Sequence, residues 1–98
     1  MKKIAMYARS MTTEGLEMQF QAMERSLEPE TEAIRYCDTT SEPAARRPGL
    51  SEVLSVIVGS NVDVLLAWSL DRLSRNPDEL QGIRSLLSEQ GVQLQLIR

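Results

Sequence analysis

Histidine is absent from this 98-residue chain, and cysteine occurs once, as Cys37. Without histidine, Ser-His-Asp and Cys-His catalysis are excluded, and zinc loses its usual ligands. A single cysteine rules out an internal disulfide and fits a reducing compartment. There is no apolar stretch long enough to cross a membrane and no signal-peptide pattern, so the expectation is a cytoplasmic protein with no membrane partner. An excess of positive charge is also lacking. The net charge of −3 argues against wholesale, non-specific nucleic-acid binding. The balance is uneven, however: acidic residues crowd the stretch from Glu14 to Glu42, while Arg46, Arg47, Arg72 and Arg75 flank predicted loops. Such a composition permits a local phosphate site and disfavours a DNA-coating surface.

What is present is the material for one small domain over residues 1–98, with 42% apolar residues to form one core. A first strand runs from Lys2 to Arg9. A helix follows, with Leu16, Phe20, Met23 and Leu27 on one stripe, Thr12 or Thr13 as its cap, and Glu28-Pro29 as its end. Glu32 to Asp38 reads as a second strand, Thr39 to Arg46 as a loop, and a second helix begins near Pro48 or Gly49 with Leu50, Val53, Leu54 and Ile57 buried. Gly59-Ser60-Asn61 turns the chain into Val62 to Trp68, a near-continuous apolar run of the kind covered on both faces in a parallel sheet. Asn76-Pro77-Asp78-Glu79 opens a third helix, with Asn76 as cap and two acids at the positive end of the dipole. Gly91 ends it, and Val92 to Leu96 alternates as an edge strand with Gln93 and Gln95 exposed. With right-handed crossovers, this order gives a three-layer α/β domain around a mainly parallel four-stranded sheet.

Open parallel sheets place their chemistry at the carboxyl ends of their strands. Arg9, Asp38 and the Asp71-Arg72 pair all fall there. Arg47 sits at the mouth of the second helix, and Arg75 lies one turn beyond Arg72. Converging arginines are a poor structural device, because like charges repel. They suit a phosphodiester, since guanidinium stays protonated, presents a planar fork of donors and stabilises charge building at phosphorus. No Gly-x-Gly-x-x-Gly follows the first strand and no P-loop is present, which weakens a nucleotide-binding reading. Arg9 stands where a receiver domain would need acidic residues.

Five segments then share one pattern: Tyr7-Ala8-Arg9, Leu16-Glu17-Met18-Gln19, Asp38 with Ser41 three residues on, Arg47-Pro48-Gly49-Leu50, and Leu70-Asp71-Arg72-Leu73-Ser74-Arg75. In order and approximate spacing the chain resembles the N-terminal catalytic domain of the serine site-specific recombinases, the resolvase and invertase family. The resemblance implies DNA strand cleavage and exchange through a phosphoserine intermediate, with no metal and no cofactor. Arg9, Arg47, Arg72 and Arg75 would lower the serine's pKa and neutralise the phosphoryl oxygens. Asp71 would orient an arginine, and Tyr7, Gln19, Asp38 and Ser41 would support the pocket. Two departures stand out. Counting from Tyr7, the family's serine falls at Met11, but one residue fewer separates Arg9 from Leu16 than is common, so the nucleophile is either Ser10 or replaced by Met11. Glu42 takes the place of a usual glycine, and its carboxylate would repel a DNA phosphate. The sequence also stops at Arg98, where the family continues into a long pairing helix and a DNA-binding module. The expectation is weak DNA binding by this chain, a homo-oligomer in a full-length context, and, as the alternative function, a non-catalytic domain acting through protein association.

Overall fold

The computed structural model describes residues 2–39, 46–59 and 62–98. Its elements follow in the order β1 (Lys3–Arg9), α1 (Thr13–Arg25), β2 (Glu32–Asp38), α2 (Pro48–Gly59), β3 (Val64–Ala67), α3 (Leu70–Leu73), α4 (Pro77–Gln90) and β4 (Gln93–Leu96). The strands pair in the order β2-β1-β3-β4, and every pairing is parallel. No helix among the described residues is long and apolar enough to cross a membrane.

Alternation along β1 sorts its side chains between two cores. Ile4, Met6 and Ala8 join Val64 and Leu66 under Leu16, Phe20 and Met23 of α1. Ala5 and Tyr7 face the other way, with Leu65 and Ala67, against Leu50, Val53 and Ile57 of α2 and Ile83 and Leu87 of α4. One helix thus covers one face and two cover the other, giving the expected three layers. β1 and β3 are buried on both faces, as their continuous apolar runs require. At the edge, Gln93 and Gln95 are exposed, while Leu94 and Leu96 are half-buried and pack on the second core.

The helix ends follow local chemistry. Thr12 caps α1, its hydroxyl oxygen accepting from Gly15 N at 3.0 Å. α1 stops at Arg25, capped by Ser26, a turn before Glu28-Pro29; Leu27 lies past the end and still packs on the α1-side core. Asn76 caps α4 by accepting from Asp78 N and Glu79 N, with Pro77 in the first helical turn. Gly91, at φ 68°, ends α4 in the left-handed conformation that glycine adopts without a Cβ clash.

From β1 the chain passes through α1 to β2 on one side, and β3 returns on the other. The carboxyl ends of β1 and β3 therefore lie side by side at a topological switch point, the place where open α/β sheets form a crevice. The single turn α3 follows β3 directly. It is anchored by fully buried Leu73 and closed by bonds from Arg72 N to Ser69 O and from Ser74 N to Leu70 O, both 3.1 Å.

Candidate active site

The site is assembled from three strand ends and one helix mouth. Register places Arg9 opposite Asp38 at the rim. Gln19 of α1 grips the Arg9 backbone at both groups: Oε1 accepts from Arg9 N at 3.3 Å, and Nε2 donates to Arg9 O at 2.9 Å. This fixes the end of β1, and alternation sends the Arg9 side chain to the Tyr7 face. There its Nε donates to Arg72 O at 3.0 Å, and its Nη2 donates to Asp71 O.

Arg47 arrives from the other side. Asp38 caps α2 from across the fold, Oδ1 accepting from Gly49 N at 2.8 Å and Oδ2 from Leu50 N at 2.9 Å. The same Oδ2 accepts the Tyr7 hydroxyl at 2.6 Å. Burial, and then this hydrogen bond, push the Tyr7 phenol far above its usual range, so it acts as a permanent donor. Gly49 allows the close approach: a Cβ there would lie 2.1 Å from Cys37 O. The residue before this tight helix start is Arg47, only 2% exposed. Its Nη1 donates to Arg72 O at 3.4 Å and its Nη2 to Leu73 O, and its guanidinium carbon lies 6.0 Å from the Tyr7 ring centroid.

Both buried guanidiniums thus converge on the carbonyls of α3. No carboxylate among the described residues forms a salt bridge with Arg9 or Arg47. Among the described residues, the charge is solvated by neutral dipoles and left uncancelled. Burial, and next the charge of Arg47, hold the Arg9 guanidinium below the usual arginine range, with Arg72 and Arg75 adding to the repulsion. Arg72 is half-buried and Arg75 exposed. Among the described residues, Arg47 Nε and Arg72 Nε are buried without a hydrogen-bond partner. A cluster with surplus donors and surplus charge is built to receive an anion.

The family model "Resolvase, N terminal domain" matches residues 4–98. The chain belongs to the resolvase family. It is 31% identical over 75 residues to the transposon Tn501 resolvase of Pseudomonas aeruginosa and, to the same degree, to the Tn1721 resolvase of Escherichia coli. The match takes in 76% of this chain and 39% of either relative, so the chain spans about two fifths of their length. Among solved structures, the C-terminal catalytic domain of ISC1926 TnpA, an IS607-like serine recombinase, superposes with a TM-score of 0.86 at 26% identity, over 98% of this chain and 67% of that one. The N-terminal catalytic domain of TP901-1 integrase shares the fold, with a TM-score of 0.83 at 24% identity, over 98% of this chain and 77% of that one. The all-parallel sheet with its flanking helices is that of a serine-recombinase catalytic domain.

In this resolvase domain, Arg9, Arg47, Arg72, Asp71, Tyr7, Gln19 and Asp38 come together as the sequence motifs suggest, with Arg75 close enough to act on Arg9 and Asp71 electrostatically. Ser41 lies outside the described residues. Asp71 meets Arg9 through its backbone carbonyl and not through its carboxylate. Its carboxylate accepts the Ser69 hydroxyl, which is the main reason it sits below the usual carboxylate range. Ser10 N donates to Asp38 O at 3.2 Å, and the half-buried Ser10 Oγ accepts from Thr12 N at 3.3 Å and lies over Gly15. Met11 is 70% exposed. The residues that motif reading passed over are Leu73 and Ser74. Both are buried, and only the helical turn of α3, invisible to periodicity over four residues, explains why.

Proposed function

We propose that the arginine pocket grips a DNA phosphodiester and that the domain cuts the strand with Ser10. The observation that carries this reading is the pair of buried guanidiniums, Arg9 and Arg47, held by peptide carbonyls, with the Nε donors of Arg47 and Arg72 unpartnered among the described residues. With one phosphate in the pocket, Arg9, Arg47, Arg72 and Arg75 share its negative charge, and that charge grows at the non-bridging oxygens as phosphorus becomes five-coordinate. The Ser10 Oγ–P bond forms as the bond from phosphorus to the 3′ oxygen breaks. The serine proton passes to solvent, and the departing 3′ oxygen takes one up. Rejoining is the reverse: a 3′ hydroxyl attacks the phosphoserine and frees Ser10. Tyr7, Gln19 and Asp38 hold the frame, Ser41 adds to it, and Asp71 fixes Arg9. No cofactor or metal enters this scheme.

Ser10 is proposed because it is the hydroxyl that directly follows Arg9, the residue Gln19 pins. A second reading has its own support. Ser10 Oγ lies over Gly15 on the α1 side and already serves Thr12 N, while counting from Tyr7 puts the family's serine at Met11. On that reading Met11 holds the nucleophile position, and the domain binds phosphate without cutting, acting through association with a partner.

The finer reading is site-specific DNA recombination or integration at a mobile element, in the cytoplasm, by a homo-oligomer of a longer protein. The 98-residue chain alone binds DNA weakly at physiological salt, because one phosphate pocket provides few of the contacts that strong affinity needs. The test is to graft this domain onto the remaining parts of a complete recombinase and look for a covalent protein–DNA adduct on a denaturing gel. An adduct that disappears with Ser10→Ala supports the leading reading. No adduct in the parent graft, with gain of one in Met11→Ser, establishes the second.

A further inference from the structure

From the link that ties α3 to α4, we infer that Ser74 and Glu79 are positioning residues for the arginine pocket. The inference rests on the phosphate-binding reading of that pocket. Ser74 is the residue immediately after the three carbonyls, of Asp71, Arg72 and Leu73, that hold Arg9 and Arg47. It is 3% exposed and its backbone is extended, so it ends α3 and turns the chain toward α4. Its hydroxyl is used in both directions: Oγ donates to Glu79 Oε1 at 2.5 Å and accepts from Asn76 N at 3.0 Å. Glu79 is itself fixed in the first turn of α4, where its backbone N–H donates to the Asn76 side chain. The carbonyl platform is thereby bolted to the start of a fourteen-residue helix.

A four-residue helical turn has too few bonds to hold its own shape. Leu73 anchors it from below, and the part-buried Ser74–Glu79 bond sets its rotation. A loosened platform would no longer point both guanidiniums at one spot. The Ser74 hydroxyl is taken up by Glu79 and Asn76, so it acts through the arginines and not as a nucleophile.

The test uses the full 98-residue chain with inorganic phosphate as the probe, followed by nitrogen-15 NMR of the Arg9 Nε–H group. In Ser74→Ala and in Glu79→Ala, phosphate affinity falls about three- to tenfold, and solvent exchange of Arg9 Nε–H speeds up about tenfold. Amide protons of β1 and β3 keep their protection, which separates mispositioning from general loss of stability. Because the two residues share one bond, the double variant loses less than the sum of the two single variants. Ser74→Thr and Glu79→Gln, which keep the hydroxyl and an acceptor oxygen, recover most of both signals. Additive losses in the double variant, or unchanged Arg9 exchange in both single variants, overturn the proposal. If the parent chain binds no phosphate while Arg9 exchange still responds, the latch stands and the phosphate reading falls.

Discussion

Arg35 and Arg47 show two ways of holding a guanidinium in one small domain. Arg35 projects from β2 onto the α1 side, where Glu24 and Glu17 meet it at 2.7 and 3.0 Å and the Phe20 ring lies beneath it at 4.8 Å. Its side chain is 42% exposed, and its charge is cancelled twice over. The two carboxylates, Glu24 first, push Arg35 above the usual arginine range, and Arg35 in turn holds Glu24 below the usual carboxylate range. Arg47 is buried, touches no carboxylate among the described residues, and spends its donors on carbonyls. The first arrangement fastens a helix to a sheet edge. The second keeps a buried positive charge that carbonyl dipoles solvate. Which atoms accept the hydrogen bonds, and not the residue type, separates the two arginines.

The largest effect belongs to the buried site. Arg47→Leu is expected to weaken binding of inorganic phosphate about 100-fold, since it removes a charge and a fork of donors together. Titration calorimetry gives the number; a loss of twofold or less would break the distinction drawn between the two arginines. Next comes the frame beneath Arg47. Gly49→Ala drives a Cβ into the Cys37 carbonyl, and rigid backbone on both sides leaves little relief. A loss of about 3 kcal/mol in urea unfolding is expected. If Gly49→Ala unfolds like the parent, α2 does not sit where the Asp38 cap requires.

A smaller effect follows from that cap. Asp38→Ala strands Gly49 N, Leu50 N and the Tyr7 hydroxyl, for a cost of about 2 kcal/mol. Tyr7→Phe removes one of the three bonds and costs about 1 kcal/mol; equal losses in the two variants would mean that the helix cap contributes nothing. The smallest effect is on the surface. Arg35→Ala changes stability by less than about 1 kcal/mol, and 1 M salt shrinks the difference further. Its pH dependence has a definite sign. The folded state holds Glu24 below its ordinary value of 4.5, so this contribution is present above that pH and is lost as pH falls through the depressed value. The melting temperatures of parent and Arg35→Ala should converge in acid, and divergence there would contradict the ion-pair account.

The strands and long helices were legible because burial on two faces, alternation and capping each leave a local mark. The apolar runs of β1 and β3, the Gln93-Leu94-Gln95-Leu96 alternation, Asn76-Pro77 and Gly91 are read within a few residues of themselves. Arg9, Arg47 and Arg72 were legible as a cluster because strand order brings carboxyl ends to one rim. The partners of those arginines were not. Asp38 caps a helix that starts ten residues further on, and a motif reading assigns it only to the pocket. Asp71 carries a tempting carboxylate, yet its carbonyl meets Arg9, and carbonyls have no letter in a sequence. The placement of Ser10 and Met11 turns on the two-residue connection between Arg9 and the Thr12 cap, too short for any periodicity.

The carbonyl platform of α3 has a consequence for how far such a domain can drift in sequence. Every residue presents the same peptide oxygen, so the seat that receives Arg9 and Arg47 is indifferent to the side chains at 71, 72 and 73 as long as the turn forms and position 73 stays apolar. Selection can therefore rewrite the side chains at Asp71 and Arg72 without unseating the two arginines behind them. The carbonyls that seat the arginines and the side chains of Asp71 and Arg72 belong to the same turn but are different atoms, and the two can evolve apart.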